Sequence, residues 1–581
     1  MDTTQIYAVV ITGITLVFLL RTGVSSFAPR LIATISRIHQ YLSYTYVLNR
    51  HAFMGPWTVT AVLLRVIYLA VNVVCLGVGV ADLSHAGRRA GTLSVINLGP
   101  LLSGLHLNFL ADLLGLSVGA VRAAHRTVSF VAFGLAAFHV IVVAVTERAL
   151  FRRELEKPSV VIAALAFCIL IITPRSLVQK ASYEIFIRLH QILSLLCAAS
   201  IWQHLSSVRC PDRLYLLIFL ALMAVAFACE AVLVLVRNGW SFRQRSRVTV
   251  TNSCGMLKLK VHLCKPLKIE PGQYINLWVP SVGLGAFWQS HPFMVASWST
   301  EAQECLEIFI QPRRGLTRDL LHIARPDGPL VCKWAMFSGP HGNTVAVGEH
   351  ETVVLIADGV GIASQVPYLK KLIHGYHNRR VITRRIHLIW QISDIDVGIA
   401  AQPFVNDVLD EDKLESGGIL QVSIYVNLDD ISKISFGRRS TVYPGKANFD
   451  QLVKSELAFN GERQHDRMKG FPGSLPSTPI PAEYRTQYVP DLARRSALSE
   501  YSTDEFMQPW TNVPLQSERS GLNPLTQDKR QMSELRQTSQ GSTLILMSAF
   551  AETRDVLRRL ARRHLHEKVT LVETDFQPFK R

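Results

Sequence analysis

Long apolar runs separated by short polar segments dominate the first 240 residues of the chain. Seven of them approach the length of about 20 residues that an α-helix needs to cross a bilayer. They lie at roughly 5–20, 57–80, 92–113, 125–146, 159–174, 184–205 and 213–236. The third run contains Pro100, Asn97 and His106, which a span tolerates where neighbouring helices satisfy the polar groups. The pattern predicts a multi-pass α-helical membrane domain with about seven spans.

Basic residues near the ends of these runs predict the orientation. The last run ends in VRNGWSFRQRSR, and short loops rich in Lys and Arg stay in the cytosol. Counting back seven spans places the amino terminus outside and the segment 21–56 inside, with Arg21, Arg30, Arg37 and Arg50. The first run is short and follows an acidic start. A membrane span is favoured for it, and a cleaved signal peptide stays open as the alternative.

After residue 245 the apolar positions alternate instead of running together. Short segments such as VTVTN, LKLKVHL, QYINLWV and LEIFIQ, separated by Gly and Pro turns, predict a small antiparallel β-barrel over residues 245–345. From residue 352, TVVLIADGVGIASQVPYLKKLIHGYH predicts a buried strand, a turn and an amphipathic helix. RRIHLIWQI, LQVSIYV, STLILMSAF and KVTLVETDF continue as buried strands. This pattern is typical of a parallel α/β domain, here over residues 350–581.

A polar tract interrupts the predicted α/β domain. Residues 433–541 are rich in Ser, Pro, Gln and Arg, which predicts a largely disordered insert at about 459–541. The part at about 441–458 is expected to be ordered.

Charge and cysteine content exclude other classes of protein. The net charge of +17 is compatible with nucleic-acid binding, but no basic stripe is interleaved with aromatic residues, so no nucleic-acid partner is expected. The nine cysteines form no CxxC pair and indicate neither a disulfide scaffold nor a zinc site.

Two apolar runs each carry a histidine pair at the same spacing, His125 with His139 and His190 with His204. Fourteen residues of helix return to nearly the same face and rise about 21 Å, so each helix presents one histidine toward each leaflet. The two helices are separated by one span and run in the same direction, so His125 can face His190 and His139 can face His204. Paired imidazoles at two depths predict two bis-histidine haems. The alternative is isolated histidines bonded to neighbouring carbonyls, which we retain for His106.

Short motifs in the second half complete a known combination. HPFMVAS (291–297) follows PGQYINLWVP (271–280), GPHG (339–342) ends the predicted barrel, and DGVGIAS (358–364) opens the next domain. With the histidine pairs, they make the chain resemble the fungal ferric reductases, relatives of the NADPH oxidases. The resemblance runs from GTLSVINLGPLL (91–102) to ETDFQPFK (573–580).

The resemblance implies a domain order. N-terminal spans at 1–90 precede a ferric-reductase-type haem-binding domain at 91–240. A cytosolic ferredoxin-reductase-like module follows, with an FAD-binding β-barrel at 245–345 and an NADPH-binding α/β domain at 350–581.

The resemblance also implies the cofactor-binding residues. His291, Pro292, Phe293, Met294, Val295, Ala296 and Ser297 correspond to the flavin segment, where Met294 replaces the usual Ser or Thr. QPRRGLTRDLL (311–321) is similar to the diphosphate segment and contributes Arg313, Arg314, Gly315 and Thr317; an ordinary capped helix is the alternative. Gly359, Gly361 and Ile362 form the dinucleotide turn. Trp390 fits a family strand, Lys446 lies where an Arg is frequent, and Phe576 corresponds to a terminal aromatic that covers the flavin.

Three departures from the family pattern affect the expected specificity. LMSAFAETRD (546–555) lacks the Cys-Gly-Pro of the oxidase branch, and no Arg follows Trp390 at the usual offset. Lys446 can meet a 2′-phosphate as a point charge rather than as a fork, which favours NADPH over NADH.

The implied function is a transmembrane ferric-chelate, and possible cupric, reductase. Electrons pass from cytosolic NADPH through FAD and two haem b groups to metal outside, in support of iron uptake. The implied partners are the lipid bilayer, ferric or cupric chelates and an iron or copper uptake system, and the implied location is the plasma membrane. An oxidase that reduces oxygen to superoxide is the first alternative. A transporter or channel without haem is the second.

Overall fold

The computed structural model describes most of the chain outside the amino-terminal run and the insert. The described residues are 38–50, 56–102, 107–173, 183–207, 212–239, 245–283, 286, 289–313, 315–324, 331–412, 418–426, 440–468 and 541–578. The predicted run at 5–20 and most of the predicted insert lie outside them, as do His106 and Arg314.

Eight helices follow one another between residues 59 and 237 of the described chain. They are α1 (Val59–Gly77), α2 (Leu83–Leu102), α3 (Leu107–Leu114), α4 (Val118–Thr146), α5 (Arg148–Leu155), α6 (Pro158–Ile172), α7 (Tyr183–Ser207) and α8 (Asp212–Arg237). Within the described residues, α1, α4, α7 and α8 are long and apolar enough to cross a membrane, and up to six spans result if each bent pair counts as one. Large apolar side chains are exposed on their outer faces, as expected for helices in contact with lipid.

The predicted third span is broken. Its helix starts at Leu83, nine residues earlier than the predicted 92, and the axis bends by 93° between α2 and α3. The polar residue Asn97 is buried, where it accepts from the Tyr68 hydroxyl and donates to Asn72 Oδ1 at 2.9 Å. Side-chain hydrogen bonds of this kind hold membrane helices together, here α1 and α2.

The middle domain is the expected antiparallel barrel. Its strands are β3 (Arg247–Ser253), β4 (Met256–Leu267), β5 (Tyr274–Trp278), β6 (His291–Met294), β7 (Gln303–Ile310), β8 (Val331–Trp334) and β9 (Met336–His341), with helix α9 at Leu316–Ile323. They pair in the orders β7-β4-β3-β8 and β6-β5-β9. The inward side chains of both sheets, together with Leu316 and Leu320 of α9, form one buried cluster.

The last domain is a parallel sheet covered by helices. Its elements are β10 (Thr352–Asp358), α10 (Ile362–His377), β11 (Arg385–Ile392), α11 (Ile395–Glu411), β12 (Leu420–Val426), β13 (Ser440–Pro444), α12 (Phe449–Met468), β14 (Thr543–Ser548), α13 (Ala551–Arg563) and β15 (Val569–Glu573). The strand order is β13-β12-β11-β10-β14-β15. The order reverses between β10 and β14, and the carboxyl ends of strands at such a point form the usual ligand crevice.

An amino-terminal segment packs on this last domain. Tyr44 is buried against β15, where its hydroxyl donates to the Leu571 carbonyl at 2.8 Å and accepts from the Leu571 amide at 3.0 Å. Burial raises the pKa of Tyr44 to about 12. The hairpin β1 (Tyr46–Leu48) and β2 (Trp57–Thr58) follows, and both Tyr46 and Arg50 bond to Asp555 of α13. The segment that leads into α1 therefore fixes the outer edge of the α/β sheet.

Candidate functional site

The first predicted histidine pair lies close together near one end of the helix bundle. His125 is in the third turn of α4 and His190 in the third turn of α7, and their ring centroids are 6.2 Å apart. Two imidazoles bound at about 2 Å on opposite sides of one iron have centroids roughly 6 Å apart. Both Nδ1 atoms are buried without a hydrogen-bond partner among the described residues, which indicates that the pair accommodates a further group.

The second pair is held by different neighbours. His139 Nδ1 donates to the Gly87 carbonyl of α2 at 2.8 Å, which leaves Nε2 available for a metal. His204 Nδ1 lies 3.3 Å from Glu154 Oε2 of α5, and Lys157 binds the other carboxylate oxygen of Glu154 at 2.5 Å. A carbonyl or carboxylate on the second imidazole nitrogen is the usual support of a metal-binding histidine.

Gly91 of α2 lies directly against the His139 ring. A Cβ built at Gly91 would be 3.0 Å from His139 Nδ1, closer than ordinary van der Waals contact. We therefore expect Gly91→Ala to displace the ring and to weaken binding of the haem predicted at His139 by up to about tenfold. The haem content of the purified protein measures this. Gly134→Ala on α4 is the matched control, because nothing lies within 4 Å of its Cβ position. Equal haem loss in both variants would contradict the role of Gly91.

Strand β9 docks the barrel onto the membrane helices. Asn238, at the end of α8, donates to the Phe337 carbonyl at 2.7 Å and accepts from the Phe337 amide at 3.0 Å. Arg237 donates to the carbonyl of Gly339 in the same strand. Since Asn238 and Phe337 are both buried, this backbone-like pairing fixes the barrel at the carboxyl end of α8.

Helix α3 holds the other side of β9. The Asp112 carboxylate accepts from His341 Nδ1 at 2.6 Å and from the Gly342 amide at 2.9 Å. Asn108 accepts from the Tyr274 hydroxyl at 3.0 Å. Burial raises the pKa of Tyr274, and the nearby Asp112 carboxylate adds to the shift. The barrel thus lies at the end of the bundle where α4 begins, on the same side as His125.

The first part of the flavin segment forms β6, and the segment contributes side chains both to the buried core and to the surface. Phe293 and Val295 belong to the buried barrel core, and Ala296 packs in the core of the α/β domain. Ser297 Oγ accepts from the Glu307 amide at 3.1 Å. The register pairs Pro292 with Asn276 and Met294 with Tyr274. Because side chains alternate along a strand, Pro292 and Met294 share the face of Tyr274, and the other face supports the fold.

The predicted diphosphate segment has the expected turn and helix. Gly315 has a φ of +74°, and α9 follows at once with no side-chain cap among the described residues. The Arg313 amide donates to Thr317 Oγ1 at 2.7 Å. The uncapped amides and the exposed Arg313 suit an anion.

The dinucleotide turn lies at the reversal of the parallel sheet. Gly359 has a φ of +51°, and a Cβ at Gly361 would meet the Ser548 carbonyl, so both positions require glycine. Ile362 is buried in the domain core. Trp390 is fully buried and donates to the Gly359 carbonyl at 2.9 Å, so it supports the turn from beneath.

Phe576 and Lys446 lie at the borders of this crevice. The Phe576 ring packs edge-on against Tyr274 at 4.5 Å, and both rings belong to an apolar cluster with residues of α3 and α4. The Phe576 carbonyl accepts from Ser548 Oγ at 3.2 Å. Lys446 is exposed after the carboxyl end of β13. Asp112, Asn238 and Tyr274 belong to the same region but were not predicted, because no local pattern marks a contact between domains.

Three family models match successive parts of the chain. The ferric reductase like transmembrane component matches residues 90–201, the FAD-binding domain matches 241–347, and the ferric reductase NAD binding domain matches 350–455. Over three successive regions the chain is therefore similar to the ferric reductases. These matches confirm the predicted resemblance and fold class, a helical transmembrane component followed by FAD-binding and NAD-binding domains.

Curated relatives carry the same family name. "Probable cell surface ferric reductase kap2" of Aspergillus oryzae (strain ATCC 42149 / RIB 40) is 24% identical over 52% of this chain and 43% of its own length. "Ferric/cupric reductase transmembrane component 2" of Saccharomyces cerevisiae (strain ATCC 204508 / S288c) is 25% identical over 39% of this chain and 30% of its own. The chain therefore spans less than half of either relative.

Among solved structures, the ferredoxin reductase in carbazole 1,9a-dioxygenase covers 36% of this chain and 56% of its own. It has 15% identity and a TM-score of 0.26, a likeness too small to carry an argument.

Proposed function

We propose that the protein is a transmembrane ferric-chelate reductase that uses cytosolic NADPH, FAD and two haem b groups, and that it works at the plasma membrane in support of iron uptake. The observation that carries the proposal is the position of the flavin-type barrel. Strand β9 forms hydrogen bonds with Asp112 of α3 and with Asn238 at the end of α8, at the end of the bundle nearest His125. This arrangement places the nucleotide domains beside one histidine pair and leaves the other about 21 Å farther along the helices.

The residues present fit the proposed cofactors. His125 with His190, and His139 with His204, would hold the two haems. The exposed face of Pro292, the uncapped start of α9 and the turn at Gly359 would hold FAD and NADPH. When bound, FAD would accept the two electrons of a hydride from NADPH and release them one at a time to the haems. The protein supplies the spacing, orientation and exclusion of water.

Several interactions hold the helix bundle, the barrel and the α/β domain together. Asp112 and Asn238 hold the barrel against the bundle, and Phe576 closes the boundary between the barrel and the α/β domain through Tyr274. Lys446 offers one positive charge to a 2′-phosphate, which favours NADPH. The two histidine pairs lie on helices that start on the barrel side, so the pair farther from the barrel faces the acceptor.

The two curated relatives described above support metal over oxygen as the acceptor, because both names specify ferric or cupric reductases. Cupric chelates remain a second substrate class within the proposal, and an iron or copper uptake system is the proposed partner. The oxidase alternative is not favoured by these comparisons.

Purified full-length protein tests the proposal. We expect two haems and one FAD per chain, a b-type band in the dithionite-reduced spectrum, and anaerobic reduction of ferric citrate with NADPH faster than with NADH. Protein that is fully loaded with FAD but contains no haem, or that forms superoxide and leaves ferric citrate unreduced, would refute it. A haem-free protein would also restore the transporter alternative.

A further inference from the structure

Helix α5 lies beside the second histidine pair, and its axis is nearly perpendicular to that of the following helix α6. Its axis is bent by 86° from α6, so if α6 crosses the bilayer, α5 runs nearly parallel to the membrane surface. Glu154 in α5 approaches His204 Nδ1 to 3.3 Å. In the orientation of the proposed function, α5 therefore covers the outer surface next to the last redox site.

The acidic residues near α5 are mostly engaged. Glu147 accepts from Ser84 Oγ at 2.5 Å and lies 3.4 Å from Arg88. Glu154 is bound by Lys157 and faces His204. Glu156 is exposed. The sequence alone shows a loop of mixed charge, but in the structure two of these acids, Glu147 and Glu154, are paired with basic groups.

The arginines of α5 are available. Arg148, Arg152 and Arg153 are exposed, and no ion pair or hydrogen bond of their side chains is formed within the described part of the chain. Arg148 and Arg152 are four residues apart on a helix, so they share a face, and Arg153 is adjacent. Three guanidinium groups therefore extend from one short helix next to the pair that contains His204.

These positive charges do not follow the usual distribution for membrane proteins. Short loops rich in Arg stay in the cytosol, and the amino-terminal and post-α8 segments already satisfy that tendency. The position of these arginines on the outer side of the membrane therefore needs a different explanation. Planar guanidinium groups bind carboxylates through two parallel hydrogen bonds, and charge of one sign around a site raises the local concentration of a ligand of opposite charge.

We propose that Arg148, Arg152 and Arg153 form the docking site for the acceptor, and that the acceptor is an anionic, carboxylate-rich ferric chelate. The inference rests on the proposed function and specifies its substrate class. The overall reaction is NADPH plus two ferric chelates giving NADP⁺, one proton and two ferrous chelates. Each chelate accepts one electron, and the proton comes from NADPH oxidation.

The test compares acceptors of opposite charge. In Arg152→Gln/Arg153→Gln, we expect KM for ferric citrate to rise roughly 5- to 20-fold with kcat nearly unchanged, because each exposed charge pair contributes modestly. KM for the cation hexaammineruthenium(III) should stay the same or fall. Arg152→Lys/Arg153→Lys keeps the charge and should restore most of the ferric citrate affinity. Arg559→Gln, an exposed arginine of α13, is the matched control and should change neither KM.

A binding measurement separates docking from turnover. Gallium(III) citrate, which is redox-inert, should bind to the oxidised wild-type protein in calorimetry and should bind the Gln double variant roughly 5- to 20-fold more weakly. Haem content and the reduced spectrum should match the wild type. If the Gln double variant loses haem, the single variants Arg148→Gln and Arg152→Gln provide the same comparison at smaller amplitude.

Lipid phosphates offer the same arginines an anionic partner. The comparison is therefore repeated in bilayer discs of phosphatidylcholine alone and with phosphatidylglycerol. Under the proposal, the rise in KM persists in phosphatidylcholine alone. Equal KM values for wild type and variant in both discs would assign the arginines to the membrane and overturn the inference. If the wild type itself does not reduce ferric citrate, the proposed function fails instead.

Discussion

Replacing His139 or His204 with alanine is expected to stop ferric reduction while NADPH still reduces the flavin. Both residues belong to the histidine pair farther from the barrel. Neither contacts the described residues of the barrel or of the α/β domain. Under the proposed function these two imidazoles would hold one haem, and loss of either would leave it with a single protein ligand, so we expect the rate of ferric citrate reduction to fall by roughly 100-fold or more. Anaerobic stopped-flow spectroscopy measures flavin and haem reduction separately and gives both rates in one experiment.

A histidine at the same end of the bundle supplies the control. His85 lies in the first turn of α2, and its backbone amide donates to Asp82 Oδ1 at 2.6 Å. His85→Ala should retain both haems and the full rate. Ferric reduction at near-normal rates in His139→Ala or His204→Ala would remove this pair from the electron path, and parallel loss of flavin reduction would indicate a general folding defect.

Asp112→Ala is expected to slow electron transfer from the flavin domain to the membrane domain. Its two carboxylate oxygens hold His341 and Gly342 at the end of β9, and no other group in the described chain makes both of these contacts. Displacement of a reacting partner by about 1 Å can cost 10²-fold in rate, so we expect haem reduction after flavin reduction to slow by roughly 10- to 100-fold. NADPH-dependent flavin reduction should stay near the wild-type rate.

Graded variants distinguish this role from a loss of stability. Asp112→Asn keeps one oxygen for the Gly342 amide and should lie between the wild type and the alanine variant. Asn108→Ala removes the single bond to Tyr274 and should have a smaller effect. The prediction fails if Asp112→Ala slows flavin reduction and haem reduction equally, or if neither rate changes.

The sequence predicted the helices best where apolar periodicity is uninterrupted. The run at 125–146 lies within α4, and the strands of both cytosolic-type domains appear where alternation or buried runs were found. The beginning of α2 was missed because Arg88 and Arg89 look incompatible with a span. In the structure, Arg89 is buried and donates to the Val78 carbonyl. Its guanidinium group therefore lies inside the bundle and has a hydrogen-bond partner there.

The candidate site could be predicted only in part, for a physical reason. Helical spacing alone indicates that His125 and His190 can face each other, and the structure brings the rings together. A motif does not distinguish residues that line a pocket from those that support it, so Phe293 and Trp390 were grouped with cofactor contacts although both are buried. Contacts such as Asp112 with His341 join residues 229 positions apart and leave no local signal.

The pairing of Tyr44 with Leu571 affects how the molecule is made. Its two partners are 527 residues apart, and Leu571 is translated after all the described membrane helices. The outer strand β15 thus acquires its lateral protection after the membrane helices have been inserted. A recombinant fragment that begins at the barrel would expose this strand edge, so such fragments should tend to associate until a peptide carrying residues 38–50 is supplied.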